Sequence, residues 1–210
     1  MYQPKHFKEL RAEALADVML GYPFATVVHS DANGPQANPV PLLPGANGRL
    51  RGHVARGNPL AKADGERVLV IFHGPDAYVS PGWYPSKDED EGRVVPTWNY
   101  ATVQVHGRLR VTHDSGWLMR LLTDLTDRHE LGMDTPWSVD DAPADYVKTQ
   151  LKGIAGLDIE VERVEGKFKL SQNHPVRNRV GVIQGLRKRA GERDEALATL
   201  MLRYGKETSE

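Results

Sequence analysis

Four stretches of this chain hold side chains whose types and spacing suit ligand chemistry. In "RGHVARGNPLAK", residues 51–62, Gly52 and Gly57 permit close backbone approach, and Arg56 offers a planar fork of donors. Asn58 and Pro59 open a short helix whose first amides are expected to be free and outward, with Lys62 one turn further on. A cation, free amides and a helix N-terminus together make a phosphate cradle; the same residues also suit an ordinary strand-to-helix connection. In "VVPTWNYATVQVHG", residues 94–107, Thr97, Trp98, Asn99 and Tyr100 start a strand with more hydrogen-bonding groups than a core needs. "GPDAYVSPGWYP", residues 74–85, sets Tyr78, Ser80, Trp83 and Tyr84 among prolines, where aromatics either cap a core or stack on a planar ligand. "EGKFKLSQN", residues 165–173, alternates Phe168 and Leu170 inward with Lys167, Lys169 and Ser171 outward, giving a donor-rich face with Gln172 and Asn173. Three donor-rich segments converging on one anionic, aromatic ligand is the reading that joins them.

Other chemistries lack their residues. The 210 residues contain no cysteine, which removes disulfides, thiolate metal sites and cysteine nucleophiles. The eight histidines are scattered, and His106 and His113, seven apart, face opposite ways on one strand. H-E-x-x-H, G-x-S-x-G, P-loop and G-x-G-x-x-G patterns are absent, so no metal, serine triad or Rossmann site is expected. A net charge of -1 denies the chain a global nucleic-acid footprint. The acidic loop from Asp88 to Glu91 reads as a solvated turn. No apolar run is long enough to span a bilayer and the first residues are polar, so a cytoplasmic location is expected.

These residues need elements to hold them. Residues 6–20 carry Phe7, Leu10, Ala14, Val18 and Leu20 at helical spacing, with a stop at Gly21 and Pro23. Short β-forming segments follow, with hairpin turns at Asn33-Gly34 and Asn47-Gly48. "NPLAKADG" is a short helix capped by Asn58, "RVLVIFHG" a buried strand, and "AYVSP" a second strand beside it. A long strand runs from Thr97 to Thr112; Asp114 then caps a helix with Leu118, Leu121, Leu122 and Leu125 on one side. "APADYVKTQLKG" is a second helix, "IAGLDIEVERVEG" and "GKFKLSQN" are strands, and the tail beyond Pro175 is helical. Hairpin-spaced strands decorated by helices predict a mainly-β α+β chain built on a small antiparallel barrel.

The segments "MYQPKHF", "GHVARGNP", "GPDAYVSPGWY", "VVPTWNY", "GIAGLDIEVERVEGKFKLSQN" and "GVIQGL" resemble, in order and over nearly the whole chain, the PaiB-type FMN-binding negative transcriptional regulators. The resemblance implies an FMN-binding split β-barrel, shaped like pyridoxamine-phosphate oxidase and small flavin reductases. It implies one domain over 1–210 with a helical extension at about 174–205, and a homodimer with flavin at the subunit interface. By that analogy the strand with His53, Val54 and Ala55 lines the isoalloxazine, and Arg56, Asn58 and Lys62 hold the phosphate. Thr97, Trp98 and Asn99 border the ring or ribityl chain, from either subunit; Lys169 and Gln172 close the site, and Ser80 and Trp83 stand on its rim. The chain departs from the family pattern at Asn38-Pro39, in place of Thr-His, at Gln104, in place of a histidine, and at Ala61, in place of an aromatic.

The resemblance points to transcriptional repression, yet no helix-turn-helix pattern is evident. The basic concentration is at 174–193, where Arg177, Arg179, Arg187, Lys188, Arg189 and Arg193 oppose Glu192; in a dimer it offers a phosphate-contacting patch for DNA. The alternatives are an FMN-dependent oxidoreductase or flavin reductase using NAD(P)H, and a barrel that takes haem or another planar anion.

Overall fold

Strand alternation and turn chemistry set the architecture of the computed structural model, which describes residues 1–87 and 91–205. Residues 88–90 of the acidic loop lie outside that range. The strands are β1 (Lys8–Glu9), β2 (Phe24–Asp31), β3 (Gly34–Pro41), β4 (Leu43–Gly45), β5 (Arg49–Ala55), β6 (Arg67–Val79), β7 (Thr97–Thr112) and β8 (Ile154–Lys169). The helices are α1 (Ala12–Gly21), α2 (Ser115–Glu130), α3 (Ala144–Leu151), α4 (Val176–Arg189) and α5 (Glu192–Tyr204). The strands form one sheet in the order β3-β2-β6-β7-β8-β5-β4, with β1 on β8. This is the expected mainly-β α+β fold.

The chain divides into two compact units, and β6, β7 and β8 contribute residues to both. Unit 2 comprises 23–71 and 105–164. There β2 and β3 form a hairpin whose turn needs Gly34 at φ 100°, with pairs running from Phe24↔Pro41 to Asp31↔Gly34. β5 pairs antiparallel with β4 and with β8, from Arg49↔Glu160 to Ala55↔Ile154. β3 also approaches β5, so closely that a Cβ on Gly52 would lie 2.8 Å from the Pro41 carbonyl. That approach curls the strands of this unit toward a barrel. α2 begins where the Asp114 carboxylate accepts from the Trp117 amide at 2.7 Å, and it buries Leu118, Leu121 and Leu125 at helical spacing. Leu118 packs with Val147 and Leu151 of α3, and Leu121 and Leu125 pack with Leu43.

Unit 1 comprises 1–22, 72–104 and 165–210, described to residue 205. α4 buries Val182, Ile183 and Leu186, and α5 buries Leu197, Ala198 and Met201. The left-handed Ala190 and the following Gly191 turn one helix into the other.

Three boundaries differ from the sequence reading. Residues 6–20 are not one helix: a 3₁₀ turn buries Phe7, β1 pairs with β8, and Leu10 is exposed before α1 begins. The Glu9 carboxylate explains the break, because it accepts from the amides of Leu10 and Arg11 at 3.0 and 2.9 Å and so offers the backbone a non-helical solution. The two strands read on either side of Pro75 are one strand, β6. Its buried positions are even-numbered to Gly74 and odd-numbered from Pro75, a one-residue slip at Gly74-Pro75 that lets the strand continue through the proline. The strands read at 154–166 and 166–173 are likewise one strand, β8, which ends at Lys169.

Candidate functional site

The predicted residues fall into two groups, each within one unit. In unit 2, β5 ends at Ala55 and the chain turns through Arg56 and Gly57 into a 3₁₀ helix, Pro59–Lys62. Val54 is buried on the core face of β5, and His53 and Ala55 lie on the opposite face. The three residues therefore cannot present their side chains to one ligand. His53 is partly covered, its Nδ1 has no partner among the described residues, and burial pulls its imidazole below the usual histidine range. Its cross-strand partner is Gly156, where a Cβ would collide with the Trp117 ring, so His53 and Trp117 share one face of the ladder.

The turn amides are less free than the sequence suggests. Asn58 Oδ1 accepts from the Leu60 amide at 2.9 Å, the Ala61 amide donates to the Asn58 carbonyl, and the Arg56 amide donates to Gly153. Asn58 Nδ2 donates to Asn38 Oδ1 at 3.0 Å, which spends the rest of the side chain. Asn58 thus builds the turn, as an N-cap of the kind that contributes about 1 kcal/mol. Asn38, one of the departures from the family pattern, is what it holds. What remains for an anion are the side chains of Arg56 and Lys62, both exposed and, among the described residues, paired with no carboxylate.

At the start of β7 in unit 1, Asn99 is fully buried and Trp98 is 54 % exposed. Trp98 meets Tyr78 edge-to-face with centroids 6.3 Å apart. Thr97 and Asn99 instead line a pocket of about 780 Å³ together with Tyr84, Lys169, Ser171 and His174. Lys169 Nζ donates to Thr97 Oγ1, and Asn99 Nδ2 donates to Ser171 Oγ at 2.8 Å. Ser171 was expected outward; its φ of 62° breaks the alternation of β8 and turns it inward. Gln172 is buried with both amide atoms on the backbone, accepting from Leu170 at 2.7 Å and donating to Phe168 at 2.6 Å, so it shapes this bend. Tyr84 stacks on His174 at 5.0 Å; spacing alone could have added His174, which follows the donor run directly. Burial, and then Lys169, pull His174 below the usual range, and burial together with Lys167 does the same to Lys169.

Ser80 and Trp83 serve the fold of unit 1. Ser80 Oγ accepts from the Gly82 amide at 3.2 Å, and the Trp83 ring packs against Gly185 of α4 with the Arg189 guanidinium 5.1 Å from its centroid. The basic stretch 174–193 is largely neutralised within the chain: Arg187 pairs with Glu195, Arg189 with Asp194 and Arg193 with Asp76. Arg179 is buried. A DNA-contacting patch there loses most of its charge to these partners.

The two depressed histidines give stability a pH signature. Their folded pKa values lie below the ordinary 6.5, so the neutral forms contribute stability that is complete above that value and lost as pH falls through the folded values. Urea unfolding is expected to show a plateau at neutral pH and a decline below 6.5. His53→Gln and His174→Gln each flatten it, well before the Glu9 carboxylate, ordinary value 4.5, begins to titrate.

Residues 1–163 match the family described as "Putative FMN-binding domain". The chain is 34 % identical over 208 residues to the Protease synthase and sporulation protein PAI 2 of Bacillus subtilis, covering 96 % of each chain. It is 35 % identical over 187 residues to the uncharacterized protein AN0679 of Emericella nidulans, covering 76 % of this chain and 74 % of that one. Among solved structures, the FAD and heme binding protein from Mycobacterium smegmatis superposes with a TM-score of 0.59 at 20 % identity, covering 77 % and 73 % of the two chains. The flavocytochrome Anf3 from Azotobacter vinelandii does so with a TM-score of 0.60 at 14 % identity, covering 77 % and 69 %. These superpositions establish the fold. No helix among the described residues is long and apolar enough to cross a membrane.

Proposed function

The chain belongs to the PaiB-type FMN-binding family, whose cofactor is FMN, and on that premise we propose that it acts as a homodimeric flavoprotein regulator with the FMN phosphate held at the end of β5. The observation that carries this is the pair of exposed cations, Arg56 and Lys62, left without carboxylate partners among the described residues, around a turn that Asn58 and Asn38 hold in place. A phosphate fits that donor set: Arg56 offers two parallel N–H groups and Lys62 a point charge. His53, kept neutral by burial, adds no charge at neutral pH.

FMN, when bound, supplies a redox-active isoalloxazine. The chain's part is to fix the phosphate and to present an aromatic surface. The exposed Trp98–Tyr78 pair suits contact with the flavin of a second copy, which supports the homodimer. The regulatory reading rests on the resemblance of the sequence to the PaiB-type negative transcriptional regulators.

Titrating the purified protein with FMN while recording its visible spectrum and its mass in solution tests this reading. Saturable flavin bands on a species of two chains are expected; a monomer that leaves the free-flavin spectrum unchanged overturns it.

A further inference from the structure

We propose that the unit 1 pocket lined by Thr97, Asn99, Lys169 and Tyr84 is a second ligand site, separate from the flavin, for a small carboxylic acid that also carries a hydroxyl or amino donor. Lys169 supplies the anion contact. It is partly covered, donates only to Thr97 Oγ1, and meets no carboxylate among the described residues. Asn99 supplies the complementary acceptor: it is fully buried, it lines the pocket, and its Oδ1 has no partner among the described residues while its Nδ2 is spent on Ser171. The Tyr84 hydroxyl, buried in the same lining, is also without a partner among the described residues. Lys169, an Arg93 that is paired with Glu91 at 2.8 Å, an unspent acceptor and an unspent hydroxyl line a pocket of about 780 Å³, a set that matches a molecule with one anionic end and one donor.

The walls argue for separateness from the flavin. Lys169, Ser171 and His174 lie beyond residue 163, where the match to the FMN-binding family model ends. The bend that turns Ser171 and Asn99 toward one another depends on the positive φ of Ser171 and on the Gln172 side chain closing back on the strand. That is more local structure than a solvated strand end requires.

Competitive acylation of lysines in the full-length, FMN-loaded protein, read by peptide mass spectrometry, tests the proposal. The probes are lactate, propionate, which lacks the donor, and inorganic phosphate. Lactate is expected to slow labelling of Lys169 and not of Lys167, and to do so at about tenfold lower concentration than propionate, one hydrogen bond's worth of discrimination. Asn99→Leu should erase that difference. Should this buried variant fail to fold, Lys169→Gln, altered at a partly exposed position, should abolish the rise in melting temperature that lactate gives the native protein. The proposal is overturned if none of the probes shields Lys169, if phosphate alone does so, or if FMN loading itself shields it, since the pocket would then belong to the flavin.

Discussion

Replacing Arg56 and Lys62 together by alanine is expected to weaken FMN binding by about 100-fold, leaving riboflavin binding unchanged. Hydrogen bonds to a charged group contribute about 1.5–3 kcal/mol each, and both side chains are solvent-exposed, which favours the low end of that range for each. Two such contacts, lost together, amount to about 3 kcal/mol, or roughly two powers of ten. Arg56→Lys should retain part of the affinity, since a point charge replaces a planar fork. Neither side chain is buried, so the double variant should unfold at the native urea concentration. Riboflavin, which has no phosphate, is the deciding control: if it weakens in step with FMN, the two cations hold something other than the phosphate. Raising salt should reduce the FMN affinity of the native protein and barely affect that of the double variant.

The elements that position those cations were legible because their signals are local. Asn58 sits one residue before the proline that opens its helix, Asp114 three residues before the amide it caps, and Asn33-Gly34 forms its turn from adjacent residues. β7 was readable over its whole length because strict alternation from Asn99 to Leu109 leaves one register that buries the apolar set. The same alternation misled at its ends. It fixes which side chains share a face, not which face is covered, so the burial of Asn99 and the exposure of Trp98 are facts of the fold. Ser171 was read outward because a left-handed serine leaves no mark in composition. Gln172 looked like a ligand donor; its amide is committed to the backbone on either side of that bend.

Charge was the least legible property. The count of basic residues at 174–193 suggested a patch, but an arginine's partner is a tertiary fact. Arg193 meets Asp76, a hundred and more positions away in sequence, and Arg189 is held in a fork by Asp194, whose own carboxyl that guanidinium pulls below the usual range. Conversely, Arg56 and Lys62 stand out only once the structure leaves them without carboxylate partners among the described residues. The residues that best mark a site in this chain are the polar groups whose local obligations are unmet.

Gly156 joins the scaffold to the site, and Gly156→Val is expected to cost about 3 kcal/mol, the upper range for overpacking a core. A Cβ there would collide with the Trp117 ring and lie 2.7 Å from Thr112 Cγ2, with no flexible side-chain end to give way. Trp117 lies in the first turn of α2 beside Leu118, so the ring can yield only by shifting the helix that buries Leu118, Leu121 and Leu125. Because Gly156 is paired directly with His53, the same shift disturbs the strand end that leads into the Arg56 turn, and FMN affinity should fall with stability. Trp117→Ala in the Gly156→Val background should recover part of the lost stability, although Trp117→Ala alone destabilises; that sign reversal in a double-mutant cycle measures the contact itself. Equal additive losses in urea unfolding would mean that the strand, rather than the indole, rejects the valine.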